Sequence, residues 1–226
     1  MQDTQALQSD LVAKRKALVE AAIALVAFYI LSLLSRLATP VFLLVVAGGL
    51  CFPLVWARLA KDWPAMGFTR RNLGRAVLWG LAAGLLCCAY SVFTTRNAQG
   101  PPPLLGLQLA VGIPIAFVIM SPFQEFFFRG WLQPRFEKAF GKWIGLLVTA
   151  LCFALWHYCP PFEISQSGAA IRLTSVYGFL ALVGLGLVWG YVFQRTRNII
   201  APWIAHTLAI IGLIATGAMV FVQYTP

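Results

Sequence analysis

Apolar residues fill most of this chain and are separated by short polar segments, a pattern that predicts membrane-spanning helices. The apolar windows fall at about Ala17–Leu37, Val41–Ala57, Leu73–Thr94, Leu104–Pro134, Trp143–His157, Leu173–Gln194 and Ile199–Val222. Most approach the ~20 residues that an α-helix needs to cross a bilayer. Proline interrupts the second window at Pro53 and the fourth at Pro114 and Pro122, which is tolerated where neighbouring helices or a cavity satisfy the freed carbonyl groups. We therefore expect an all-α fold, a polytopic membrane helical bundle with about seven transmembrane helices.

The composition agrees with this prediction and excludes a soluble globule. Hydrophobic residues make up 60% of the 226 residues and charged residues 11%, which is too little polar surface to cover a soluble domain. We expect a polar cytoplasmic tail over residues 1–16 and a single transmembrane helical domain over residues 17–226, without a signal-peptide layout. The five cysteines lie mostly in apolar runs without metal-type spacing and are expected to be packing residues.

The net charge of +10 is better explained by membrane topology than by nucleic acid. With Arg129 left out, the tail and the even-numbered loops carry 13 Lys and Arg, and the odd-numbered loops carry only Arg36, Arg96 and Arg172. The positive-inside rule then predicts a cytoplasmic N-terminus and an external C-terminus. No basic cluster is interleaved with aromatics in a soluble module, so we expect the lipid bilayer and no nucleic acid among the partners.

Ionisable side chains inside apolar windows are costly and are functional candidates by default. They are Glu20, Glu125, Arg129, His157 and His206, and Gln124 directly precedes the acid of the fourth window. Glu20 lies one turn into the first window near Lys16, where a structural ion pair is expected. Glu125 and Arg129 are four residues apart on a helix, so they share a face; taken alone, they could be a buried ion pair that only fixes helix packing.

Depth along the helices suggests that these polar groups meet. Measured from the cytoplasmic end of each helix at ~1.5 Å per residue, Glu125 is ~15 Å deep, His157 ~22 Å and His206 ~13 Å. We therefore expect Gln124, Glu125, His157 and His206 to line a hydrated cavity near the middle of the bilayer. A zinc site is a weaker interpretation, because the HExxH spacing is absent and an amide is a poor ligand. We predict no metal and no cofactor.

Three stretches resemble motifs of the CAAX protease and bacteriocin-processing (CPBP/Abi) family. QEFFFRG, from Gln124, is similar to EExxxR; FALWH, ending at His157, is similar to FxxxH; and GLGLVWGYVFQRTRNIIAPWIAH, ending at His206, resembles the last conserved helix pair. The resemblance covers about half the chain, from roughly residue 104. It implies a metal-independent, glutamic-type intramembrane endopeptidase in which the first Glu of EExxxR and both histidines activate water. Neutral His would donate to the developing oxyanion, and Glu125 and Arg129 would be the supporting pair.

Two positions depart from the family pattern. Gln124 stands at the catalytic Glu position, and an amide cannot accept a proton from water. We therefore expect this chain to be inactive or nearly so. The amide is isosteric with the carboxylate, as in a substitution that an experimenter makes to silence a protease; a natural pseudoprotease and Glu125 acting as the base are the alternatives. The second departure is Ile210, where the family often has Asn or Asp, which leaves open what supports the oxyanion.

The resemblance implies a peptide or protein substrate with a membrane-embedded or lipidated segment. Prenylated C-termini, bacteriocin leaders and the C-terminal sorting tails of the myxosortase-like branch are all compatible. Spans rich in Ala, Leu and Gly favour a bacterial tail- or leader-processing enzyme in the inner membrane. The alternative function is a non-catalytic membrane protein, either transporter-like or a regulator that binds transmembrane segments. No internal repeat that would favour transport is apparent.

Overall fold

The computed structural model describes residues 2–95, 101–159 and 175–222, and these ranges contain helices and turns but no strand. The helices are α1 (Gln2–Leu34), α2 (Thr39–Leu59), α3 (Leu73–Thr95), α4 (Leu105–Phe140), α5 (Lys142–Trp156), α6 (Val176–Thr196) and α7 (Ile200–Ala215). The predicted all-α bundle is confirmed. Arg96, Arg172 and the start of the sixth apolar window at Leu173 lie outside the described residues.

The helices differ in their capacity to cross a membrane. Helices α1 to α4 and α6 are long and apolar enough to span it, whereas α5 and α7 are apolar but have only 15 and 16 residues. At ~1.5 Å per residue these two helices cover about 22–24 Å, less than the ~30 Å of the hydrocarbon core. The seven helices in the described ranges are thus roughly what the windows predicted, with α5 and α7 short.

Two helix boundaries differ from the predicted windows. Helix α1 begins at Gln2, so the segment expected to be a tail continues the first helix. Helix α7 ends at Ala215 and is followed by Gly217 at φ +73°. The chain then folds back on α4, where the buried Gln108 side chain hydrogen-bonds the backbone of Phe221 and Val222. Helix α2 continues through Pro53 without a break.

Helix α4 lies at the centre of the bundle and is not a regular α-helix. Two π-helical segments, Ala116–Met120 and Phe126–Leu132, flank the short α-helical segment Ser121–Glu125. Pro122 cannot donate a backbone hydrogen bond to the preceding turn, which accounts for irregular bonding beside it. Every residue from 121 to 133 is buried, so this stretch is enclosed by protein rather than lipid. Such π-segments are frequent at functional sites.

Aromatic side chains pack α4 against α1 and α2. Phe28 of α1 stacks on Phe127 with the ring centroids 4.2 Å apart, and Trp131 meets Phe52 and Trp56 of α2 at 4.9 and 5.7 Å. Nearer the polar end, Arg135 pairs with Glu20 at 3.2 Å. The structural role expected for Glu20 thus extends beyond Lys16, which lies 4.0 Å from it.

Helices α3 and α7 approach closely because glycines line their contact. A methyl group added at Gly80 would lie 2.8 Å from the Ala201 carbonyl oxygen, and one at Gly212 would lie 2.8 Å from the Cys88 carbonyl oxygen. Small residues allow helix backbones to approach in this way in membranes. The contact sets the position of α7, which carries His206.

The Gly80 contact predicts a stability difference between two Gly→Ala substitutions in α3. Gly80→Ala should destabilise the protein by about 1–3 kcal/mol, because the new methyl meets backbone that cannot move freely. Gly74→Ala is the matched control: its methyl would meet no described atom within 4 Å, and alanine favours the helix by up to about 1 kcal/mol. Unfolding in micelles measures both free energies. Equal stability of the two variants would contradict the close contact.

Candidate active site

The candidate residues come from three helices. Gln124, Glu125 and Arg129 lie in the middle of α4, His157 follows the last residue of α5, and His206 lies in the second turn of α7. The π-helical segment from Phe126 begins directly after Glu125 and includes Arg129. The site is therefore built where α4 is least regular.

Glu125, Arg129 and His206 form one buried hydrogen-bonded cluster. Glu125 Oε1 accepts from Arg129 Nη1 at 3.2 Å and from His206 Nδ1 at 2.8 Å. The Glu125 and Arg129 side chains are 0% exposed, and that of His206 is 6% exposed. The ion pair expected from the four-residue spacing is present. The direct contact between Glu125 and His206 was not foreseen.

Aromatic rings and a backbone carbonyl complete the surroundings of Arg129. Its Nη2 donates to the Gly186 carbonyl of α6 at 3.3 Å. Its guanidinium carbon lies 4.2 Å from the ring centroid of Phe153 and 5.4 Å from that of Trp189. A buried cation requires such compensation, and cation–π contacts strengthen when they are desolvated. Trp189 also stacks on His206, with the centroids 4.0 Å apart.

His157 joins the cluster through Phe153, the first residue of the FxxxH motif. Its Nδ1 lies 2.9 Å from the Phe153 carbonyl oxygen, one turn back. The Phe153 ring contacts the rings of both His157 and His206, at 4.5 and 6.3 Å between centroids. One aromatic side chain therefore contacts both imidazoles. Sequence reasoning named Phe153 only as a motif position.

Helix α1 fixes the end of α5 that carries His157. Arg36 donates from Nε to the Cys159 carbonyl at 2.8 Å and from Nη2 to the Tyr158 carbonyl, and Trp156 Nε1 donates to Ser32 Oγ at 2.8 Å. In the sequence, Arg36 counted only as a loop charge. An isolated arginine at the end of an apolar window was the available signal for this role.

Gln124 lies in the interior and is not exposed to lipid. It is 4% exposed, and its side-chain oxygen has no hydrogen-bond partner among the described residues. Four residues further on, Phe128 packs on Phe153 and Trp156 of α5, with centroids 5.3 and 5.9 Å apart. This stretch of α4 therefore packs against the end of α5 that precedes His157.

Two cavities open near the other end of the bundle. One, of about 610 Å³, is lined by Pro64, Ala65, Pro134, Glu137, Lys138, Lys142 and Arg197. The other, of about 420 Å³, reaches Phe126 and Trp203. Neither borders Gln124 or the histidines, so the hydrated cavity expected there stays a prediction. In the described ranges, no three His, Cys, Asp or Glu residues are grouped as metal ligands would be.

Comparison with known families agrees with this site. Residues 106–211 match the family described as Rce1-like, type II CAAX prenyl endopeptidase. The matched segment runs from α4 to α7 and includes Gln124, Glu125, Arg129, His157 and His206. With its long apolar helices, the chain is a multi-pass membrane protein of the protease class. Residues 106–211, just under half of the chain, are thus similar to the Rce1-like CAAX protease family, whose members act on membrane-associated or prenylated proteins. No curated protein and no solved structure matched the chain.

Charge compensation in the cluster predicts a large effect of Arg129→Met. Removing the cation leaves Glu125 ionised and buried, which should destabilise the protein by about 3–5 kcal/mol. The double variant Glu125→Gln/Arg129→Met should recover much of this loss, because no buried charge then remains. Denaturant unfolding in micelles measures both.

The control is the ion pair of Lys14 with Asp10, which has the same four-residue spacing but half-exposed side chains. Lys14→Met should cost less than about 1 kcal/mol. If Arg129→Met were as mild as this control, Arg129 would not compensate a buried charge.

Proposed function

We propose that this protein is a glutamic-type intramembrane endopeptidase whose general base is replaced by Gln124. The observation that carries the proposal is the Glu125 carboxylate, which accepts hydrogen bonds from both Arg129 and His206 in the bundle interior. The first and the last of the three motifs thus meet at Glu125 Oε1. The second motif contacts them through the ring of Phe153, which touches both histidines. A charged cluster kept at this cost inside a membrane protein favours a catalytic role.

The hydrogen bonds of the histidines suggest which nitrogen reacts. Carboxylate and carbonyl oxygens only accept hydrogen bonds, so Nδ1 of His206 and Nδ1 of His157 both carry protons. In a neutral imidazole the other nitrogen, Nε2, is then an acceptor. We therefore revise the expectation that neutral histidine donates to the oxyanion. Either ring would donate from Nε2 only after taking up a proton.

The reaction we propose begins with a carboxylate at position 124. The carboxylate removes a proton from water as the water oxygen bonds to the scissile carbonyl carbon, and passes this proton to an imidazole Nε2. The resulting imidazolium donates to the oxyanion, and the carbon–nitrogen bond breaks as the proton passes to the amine. Glu125 would orient His206, as a carboxylate orients histidine in serine proteases. Arg129 would balance the Glu125 charge.

The substrate we propose is a C-terminal tail or leader of a membrane-targeted protein. The family description names a prenyl endopeptidase, and the buried position of the site favours a segment that enters from the membrane. We place the protein in a bacterial inner membrane with a cytoplasmic N-terminus, on the basis of the charge distribution between loops. The myxosortase-like branch stays one of the open assignments.

Restoring the carboxylate tests the proposed function. Gln124→Glu should raise cleavage at least about 10²-fold over the unchanged chain, because general bases contribute factors of this size. The assay uses proteoliposomes and three peptides: a prenylated C-terminus, a leader and a sorting tail. Gln124→Met, of similar length without a carboxylate, and Gln124→Glu/His206→Ala should both stay inactive. If Gln124→Glu binds these peptides but does not cleave them, the result would favour a non-catalytic regulator that binds transmembrane segments.

The proposed mechanism needs no metal, which a chelator can test. Gln124→Glu protein should keep its full cleavage rate after dialysis against EDTA and should contain no stoichiometric zinc by mass spectrometry. The physical reason is that zinc sites in proteins usually have three or four protein ligands, and in the described ranges no three His, Cys, Asp or Glu residues are grouped in this way. Loss of activity with EDTA and recovery with zinc would contradict the glutamic-type mechanism.

A further inference from the structure

A row of polar contacts continues from the candidate site along the interface of α4 and α6. On α4 the row consists of Glu125, Arg129, Gln133 and Glu137, each four residues from the next; on α6 it consists of Gly186, Gly190 and Gln194, with the same spacing. Both periods keep the residues on one helix face. We call these seven residues the polar ladder.

The contacts of the polar ladder repeat in register. Arg129 Nη2 donates to the Gly186 carbonyl at 3.3 Å, and Gln133 Nε2 donates to the Gly190 carbonyl at 3.1 Å. Gln194 Nε2 then donates to Glu137 Oε1 at 2.8 Å. Each pair is separated by 57 positions in the sequence. Two apolar helices could pack without these hydrogen bonds. Burying the polar groups costs free energy, because each loses its contact with bulk water.

The polar ladder has more hydrogen-bonding capacity than its own contacts use. Buried atoms without a partner among the described residues include Glu125 Oε2, Arg129 Nε, Gln133 Oε1 and Gln194 Oε1. Trp189 borders this row, with its ring centroid 5.4 Å from the guanidinium carbon of Arg129. An unsatisfied buried polar atom costs about 1–3 kcal/mol. Buried water commonly satisfies such atoms with 2–4 hydrogen bonds, so this row of unused atoms fits a file of water molecules.

Glycine allows α6 to approach the polar ladder closely. A methyl group added at Gly190 would lie 2.4 Å from Leu146 Cδ1 of α5 and 2.9 Å from Gln133 Oε1, one of the unused acceptors. A larger residue at this position would therefore press on both Leu146 and the acceptor.

The polar ladder ends at a surface cavity. Glu137 Oε2 pairs with Arg197 Nη1 at 2.7 Å, and the Arg197 side chain is 49% exposed. Both residues line the cavity of about 610 Å³ described above. The positive-inside rule assigns this end, which also carries Lys138 and Lys142, to the cytoplasm. The 12 residues from Glu137 to Glu125 span at most roughly 18 Å, so the polar ladder connects the bundle surface to the candidate site.

We propose that the polar ladder is the path by which water from the Arg197 cavity reaches the buried site. Hydrolysis consumes one water molecule per peptide bond, and this path would supply it. The hydration itself is independent of catalysis, whereas its use in peptide cleavage rests on the proposed function.

Hydroxyl-radical footprinting tests the hydration directly. Brief X-ray pulses generate radicals from water next to side chains in the full-length protein in lipid nanodiscs, and mass spectrometry measures the oxidation. Trp189 should be oxidised although it is only 2% exposed. Phe127 is also 2% exposed but is enclosed by aromatic rings. Its oxidation gives the background expected for a buried side chain without adjacent water. Each rate is normalised to that in the unfolded chain.

Three variants separate the polar ladder from general packing. Gln133→Leu should abolish most of the Trp189 oxidation, and so should Gly190→Ala, which removes no polar group but adds a methyl against Gln133 Oε1 and Leu146. Gln108→Leu, at an equally buried glutamine elsewhere on α4, should leave it unchanged. If Gln133→Leu does not fold, the Trp189 oxidation of Gly190→Ala tests the proposal instead. Oxidation of Trp189 at the Phe127 level in the unchanged chain, or equal oxidation in all folded variants, overturns the proposal.

A second arm tests the use of this water in catalysis. In the Gln124→Glu protein, Gly190→Ala should lower kcat and leave KM unchanged, because it limits water rather than substrate. An unchanged kcat together with lost Trp189 oxidation would overturn the delivery role. If Gln124→Glu cleaves nothing, the proposed function fails, and the footprint alone decides whether the polar ladder is hydrated.

Discussion

The shared oxygen of Glu125 is the constraint on which the rest of the site depends. A fully buried carboxylate is stable only if charge and hydrogen bonds compensate its lost hydration. Here one cation and one imidazole meet at that oxygen, and each needs its own support. Arg129 obtains this from the Gly186 carbonyl and two aromatic faces, and His206 from stacking on Trp189. The positions of α4, α6 and α7 are thereby coupled.

The same constraint extends to helices that carry no motif. The close approach of α3 through Gly80 sets the position of α7, and α1 holds the end of α5 through Arg36 and Ser32. Both α1 and α3 lie outside the segment that matches the family. They take part in the site through geometry rather than chemistry. The matched segment by itself would leave the carbonyl groups beside His157 without these donors.

Some features of the site could be predicted from the sequence because they depend on local periodicity. Helix windows follow from runs of apolar residues, and the pair of Glu125 with Arg129 follows from the four-residue spacing. The contact between Glu125 and His206 could not be derived, because it depends on the rotation of α7 against α4. The π-helical segments were missed because Pro122 indicates a disturbance without specifying its form. The helix-end position of His157 agrees with the fifth predicted window, which ends at that residue.

The charge balance of the cluster depends on the residue at position 124. With an amide there, Glu125 and Arg129 cancel, and both imidazoles can stay neutral. A carboxylate at the same position would add one negative charge to a region without a second cation in the described cluster. A proton on that carboxylate or on an imidazole would neutralise the charge, whereas water could only hydrate it. Under the proposed function, such a carboxylate would therefore raise activity and lower stability, as is common at catalytic positions.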